Sequence, residues 1–162
     1  MNSKNTIAAI STAYGRSGIG IIRISGDNVL KIIDVFIEKN LLPRVATNSL
    51  IYDEHGQAID DIIAIYYKSP NSFTGEDMLE IQCHGNPVIL DSILSFICKD
   101  LASHAKPGEF TERAFVNNKM DLTQVEAVAD IINATNTTSA NAALRALRGN
   151  FSDRINSLLE DV

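Results

Sequence analysis

Arg23, Glu80 and Lys119 are the side chains whose type and setting could do chemistry. Arg23 lies in Ile19-Gly20-Ile21-Ile22-Arg23-Ile24-Ser25, a β-rich run in which it shares a face with Ile19, Ile21 and Ser25. A guanidinium on an otherwise apolar face needs a partner. It either reaches solvent at the strand end or captures a ligand carboxylate or ring carbonyl with its planar fork. Glu80 shares a face with Met78 and Gln82, while Leu79, Ile81 and Cys83 face the other way. Alone, that alternation reads as a half-solvated strand. Lys119 stands in Asn117-Asn118-Lys119-Met120, a polar connection in which a lysine is ordinarily solvated.

Other chemistries are excluded or unsupported. The glycines of Gly15-Arg16-Ser17-Gly18-Ile19-Gly20 precede a strand rather than open a helix, and no Lys-Ser or Lys-Thr follows them. The chain therefore contains no P-loop, and no GTP binding is expected of it. His55, His84 and His104 are isolated from one another. His84 beside Cys83 cannot put both side chains on one strand face, so no metal site is expected. Cys83 and Cys98 fall in apolar stretches and read as reduced, buried thiols. No catalytic residue is assigned.

The elements that must position these residues follow from periodicity. Residues 6–11 and 19–25 read as strands. Gly26-Asp27-Asn28 can start a helix in which Val29, Leu30, Ile32, Ile33, Phe36 and Ile37 form a stripe wide enough to cover a sheet. Residues 59–67 and 78–83 read as strands joined by a loop over 69–77. Asn86-Pro87 supplies an N-cap and an N1 proline ahead of Ile89, Leu90, Ile93, Leu94, Ile97 and Leu101. Pro107-Gly108-Glu109-Phe110-Thr111 is a turn into a short helix. The pattern is α+β.

After about residue 118 the character becomes helical. Asp121-Leu-Thr-Gln124 resembles a capping box. A polar break over 135–139 precedes one long apolar stripe from Ala140 to Val162, still in register at the last residue. Such a stripe suggests a chain cut inside a longer protein, the alternative being a natural C-terminal helix that docks.

Composition sets the outer bounds. A chain of 162 residues with 45% hydrophobic residues can bury a single sizeable core. The formal net charge of -6 argues against a dedicated phosphate-backbone binder. No Trp and 6% aromatic residues disfavour a single-strand stacking platform. No apolar run approaches the ~18 residues of a spanning helix, so a cytoplasmic protein without membrane contact is expected.

Three ordered blocks carry a resemblance. They are Gly15-Arg16-Ser17-Gly18-Ile19-Gly20-Ile21-Ile22-Arg23-Ile24-Ser25-Gly26, then Glu76-Asp77-Met78-Leu79-Glu80-Ile81-Gln82-Cys83-His84-Gly85, then Pro107-Gly108-Glu109-Phe110-Thr111-Glu112-Arg113-Ala114-Phe115 continuing through Asn118 to Val128. Together they resemble the tRNA modification GTPase MnmE (TrmE) family over essentially the whole chain.

The resemblance implies an N-terminal α+β domain over 1–118, similar to the tetrahydrofolate-binding domain of one-carbon transfer proteins. The first helices of a helical domain would follow over 119–162, with the G domain absent. It implies binding of 5-formyl-tetrahydrofolate as a one-carbon donor, with Arg23, Glu80 and Lys119 as its contacts. A pterin's adjacent N–H donors suit a carboxylate such as Glu80, and the negative glutamyl tail suits Arg23 or Lys119.

The resemblance further implies a homodimer formed through the N-terminal domain. For the full-length parent it implies GTP hydrolysis with potassium and magnesium, and a flavin-dependent partner subunit (MnmG, also GidA). The parent would modify C5 of the tRNA wobble uridine with an aminomethyl-type group. A self-sufficient folate-dependent transferase and a ligand-free dimerisation scaffold are the alternatives.

Overall fold

The computed structural model describes residues 5–53 and 55–149. The chain forms two compact units, Met1–Phe110 and Thr111–Val162. The change of character read after residue 118 lies within the second.

The first unit is built on a six-stranded sheet: β1 (Ile7–Ile10), β2 (Ser17–Ser25), β3 (Thr47–Tyr52), β4 (Ala58–Tyr67), β5 (Met78–Gly85) and β6 (Ser103–His104). Their order is β3-β4-β5-β2-β1-β6. Every pairing is antiparallel except β1 with β6. Helices α1 (Val29–Phe36) and α2 (Pro87–Asp100) supply Val29, Ile32, Ile33, Phe36, Leu90, Ile93, Leu94 and Ile97 to one core. The sheet meets them with Ala8, Ile22, Ile24, Ile62, Ala64, Leu79 and Ile81, all buried. Burying each such branched side chain is worth about 1.5–3 kcal/mol, so this face fixes the sheet's register. The opposite face carries Arg23 and Glu80.

Local signals explain several boundaries. The Asn86 side chain accepts the Val88 N–H, and Pro87 occupies the first turn of α2, as expected. Asn28 precedes α1 but does not cap it. Its backbone N–H donates to Thr6 Oγ1 at 2.9 Å and its side-chain amide to the Leu101 carbonyl at 2.8 Å, tying the helix start to its surroundings. Ile37, read as part of the helix, is extended and bridges Ile51. Two strands carried no sequence signal. β3 mixes polar and apolar residues, and β6 exists because Ser103 and Ala105 donate to the Thr6 and Ala8 carbonyls at 2.8 and 2.9 Å.

In the second unit, α3 (Glu109–Val116), which straddles the division, leads to α4 (Leu122–Asn133) and α5 (Thr137–Leu147). Asp121 and Gln124 form the expected capping box, with both bonds at 2.9 Å. Gln124 Nε2 also donates to the Leu147 carbonyl at 3.0 Å, joining α4 to the end of α5. The continuous stripe expected from Ala140 onward is corrected here. Helix α5 stops at Leu147, and Gly149 follows with φ +81°, a left-handed conformation that ends helices. The rest of that stripe, residues 150–162, lies outside the described residues.

Candidate functional site

Antiparallel pairing of β2 with β5 sets Arg23 directly opposite Glu80. Pairing of β5 with β4 sets Glu80 opposite Ile65, and Tyr67 lies two residues further along the same face. Arg23 Nε and Nη2 donate to Glu80 Oε1 at 3.0 and 2.7 Å. The Tyr67 hydroxyl donates to the other oxygen, Oε2, at 3.2 Å. The Arg23 and Glu80 side chains keep 29% and 14% of their exposure, so the pair is partly desolvated but open to an approaching molecule.

Two rings flank the guanidinium. Its Cζ lies 5.4 Å from the Phe73 centroid and 5.8 Å from that of Phe110, within cation–π range of both. Phe73 comes from the β4–β5 loop, which is fastened at several points. Asp77 Oδ1 accepts from the Tyr66 hydroxyl at 3.0 Å and the Ser69 N–H at 2.8 Å. Ser25 Oγ donates to Glu76 Oε2 at 2.7 Å and lies 2.6 Å from Thr74 Oγ1. Ser25 and Thr74 are fully buried, so these hydroxyl bonds are shielded from water.

The acceptor inventory decides what Glu80 can still do. A carboxylate oxygen offers two lone-pair positions. Both on Oε1 are engaged by Arg23, and one on Oε2 by Tyr67. As arranged here, one position on Oε2 stays open while Arg23 holds Oε1. Burial first, and then the Glu80 charge and hydrogen bond, hold the Tyr67 phenol above its ordinary pKa. It is a firm donor at neutral pH. The cluster thus combines a carboxylate, a guanidinium and aromatic rings, a set suited to a flat heterocycle bearing N–H donors and carbonyls.

The structure brings Arg23 and Glu80 together. Lys119 belongs to the second unit, on the turn after α3, where its N–H bonds the Ala114 carbonyl at 2.8 Å and its side chain is exposed. Asn118 before it has φ +54°, the left-handed conformation that closes α3. Sequence reading missed Tyr67, Phe73 and Phe110. Tyr67 shows only as an alternate residue of a strand, and Phe73 sits in a loop without periodicity.

The other end of the same sheet face holds a cavity of about 270 Å³, lined by residues including Ile19, Asn48, Asp61, Ile63, Gln82 and His84. His84 Nδ1 lies 2.7 Å from Asp60 Oδ1, and its backbone N–H donates to Asp60 Oδ2 at 2.8 Å. The hydrogen bond to Asp60 and the Asp60 charge raise the imidazole pKa above its ordinary value. Cys83 turns into the core, where burial pushes its thiol up to about 12. Among the described residues, no cluster of three potential metal ligands occurs. No helix among them is long and apolar enough to cross a membrane.

The family model of the GTP-binding protein TrmE N-terminus matches residues 6–119. The chain is 53% identical over 160 residues to the tRNA modification GTPase MnmE of Francisella philomiragia, covering 99% of this chain and 35% of that protein. It is 50% identical over 157 residues to the tRNA modification GTPase MnmE of Neisseria meningitidis, covering 97% of this chain and 35% of that protein. The like-named protein of Francisella tularensis subsp. novicida is 53% identical over 160 residues, with 99% and 35% covered. The chain spans about a third of the length of these curated relatives.

Proposed function

Because the chain belongs to the TrmE N-terminal family, we propose that it binds 5-formyl-tetrahydrofolate and self-associates as part of a tRNA-modifying GTPase. The observation that carries the ligand reading is the partly exposed Arg23–Glu80 pair, with the Phe73 and Phe110 rings within cation–π range of the guanidinium. A pterin would offer an N–H to the open position on Glu80 Oε2 and a flat ring to the phenylalanines. Arg23 and Lys119 are the proposed contacts for its carbonyl and carboxylate groups. When bound, the folate would supply a one-carbon unit; the chain's own residues bind and orient it. Self-association is supported by Ile19, Leu50 and Ile63, large apolar side chains left exposed on the same face.

In the whole protein these features would serve C5 modification of the tRNA wobble uridine in the cytoplasm. A flavin-dependent partner subunit (MnmG) would act with it, and GTP, potassium and magnesium would be handled by a G domain outside this chain. The proposed layout is a folate-binding and dimerisation domain over 1–118 followed by the first helices of a helical domain over 119–162.

Calorimetry with 5-formyl-tetrahydrofolate tests the reading. The parent chain should bind saturably, Arg23→Lys should bind about tenfold more weakly, and Lys119→Ala should lose less, in a salt-dependent way. Parent-like binding by a folded Arg23→Lys variant would exclude this site. Formyl or methylene transfer by the isolated chain would instead identify a self-sufficient transferase.

A further inference from the structure

We infer that Tyr67 is a positioning residue for ligand recognition: its hydroxyl holds Glu80 in the orientation that keeps one carboxylate position open to a ligand N–H. The inference rests on the folate-binding reading of this site.

The geometry contains a competition. Arg23 presents Nε and Nη2, a fork that can engage both oxygens of one carboxylate. Here both donors instead converge on Oε1, at 3.0 and 2.7 Å, because Oε2 is turned to Tyr67 at 3.2 Å. Removing the phenolic oxygen takes away the contact that turns Oε2 aside. The terminal torsion of a glutamate is broad and roughly two-fold, so the carboxylate can then rotate to meet the arginine fork with both oxygens. That pairing satisfies Arg23 better and gives away the position a ligand donor needs.

Tyr67 is suited to this task. It stands on β4, across β5 from Arg23's strand, so the carboxylate is held from both sides. Its phenol stays protonated because burial, Glu80's charge and the hydrogen bond to Glu80 all oppose ionisation, while Arg23 and Arg44 act weakly the other way. The consequence separates positioning from structural support. Loss of the hydroxyl should weaken ligand binding without weakening the fold, since the ion pair it leaves behind is the better one.

The test is a double-mutant cycle read by calorimetry with 5-formyl-tetrahydrofolate, with thermal melts on every variant. Tyr67→Phe should bind about three- to tenfold more weakly than the parent, with a melting temperature equal to or above it. In a Glu80→Gln background, Tyr67→Phe should add no further loss. Parent-like binding by Tyr67→Phe overturns the inference, as does an equal loss in the Glu80→Gln background. A ligand-free arm keeps it separable from the proposed function. In protein labelled at tyrosine Cζ, Glu80→Gln should lower the Tyr67 titration midpoint, and an unchanged midpoint overturns the link. A parent chain that takes up no folate removes the proposed function and the ligand half of this inference. The titration still decides whether Tyr67 is coupled to Glu80.

Discussion

Replacing both members of the Arg23–Glu80 pair should harm the fold less than replacing either one. Opposite charges about 4 Å apart attract by about 4 kcal/mol at an effective dielectric near 20, before desolvation is subtracted. With 29% and 14% of the two side chains exposed, the pair lies between a surface bridge and a buried one. Net costs of about 0.2–1 kcal/mol apply at the first limit, and about 3–5 kcal/mol for breaking one partner at the second. Glu80→Met leaves the guanidinium beside Phe73 and Phe110 without its carboxylate, and should cost about 1–3 kcal/mol. Arg23→Met leaves the Glu80 carboxylate with the Tyr67 hydroxyl alone, at a similar cost. The double variant removes both charges and sets a thioether against the two rings, a favourable contact. It should recover to within about 1 kcal/mol of the parent while binding no folate. Urea unfolding of the parent, both single variants and the double variant measures the cycle. A double variant whose loss equals the sum of the two single losses would refute the reasoning, because the two side chains would then not act as a pair.

Three further outcomes follow from the geometry. Asp60 raises the folded His84 pKa above 6.5, so the pair adds stability below that value and loses it as pH rises through the raised one. An NMR titration should show a midpoint above 6.5 that falls on Asp60→Asn, and an unmoved midpoint would discount the Asp60 contact. The Cys83 thiol, buried and raised to about 12, should resist thiol reagents at about pH 8 until urea unfolds the chain. Peptide mapping that finds Cys83 modified rapidly in native protein would contradict its placement. Gly26 has φ +127°, and an added Cβ would lie 2.5 Å from the Asn5 carbonyl oxygen and 2.7 Å from Thr6 Cα. Gly26→Ala should therefore cost about 2 kcal/mol or more, seen as a melting point several degrees lower. A melt like the parent's would show that the backbone there yields.

Much of the fold was legible where short-range signals and burial agree. The apolar periodicity of α1 and α2, the Asn86-Pro87 start and the Asp121–Gln124 box depend on residues a few positions apart. Signals failed where the partner is remote or the pattern mixed. Strand β6 needs Thr6 and Ala8 to accept its hydrogen bonds, and nothing near residue 103 announces them. The apolar stripe runs on past Gly149 and so hides the end of α5, where that glycine's left-handed backbone breaks the helix.

The sequence by itself determined the α+β class, the family, and the presence of an arginine on an apolar strand face and a glutamate on a half-solvated one. Each follows from residue types and from periods of two or 3.6 residues, which are local properties of the chain. It could not determine that Arg23 and Glu80 meet. They are 57 residues apart, and only the antiparallel register of β2 against β5 sets them opposite each other. That register is held by Ile22, Ile24, Leu79 and Ile81 packing into the core on the far side of the sheet. Tertiary structure also decided that Tyr67 takes one oxygen of Glu80 and that two phenylalanines from separate segments flank the guanidinium. The physical reason is the same in each case. A site is made of side chains that different elements bring together, and their hydrogen-bonding capacity is divided only once every neighbour is in place.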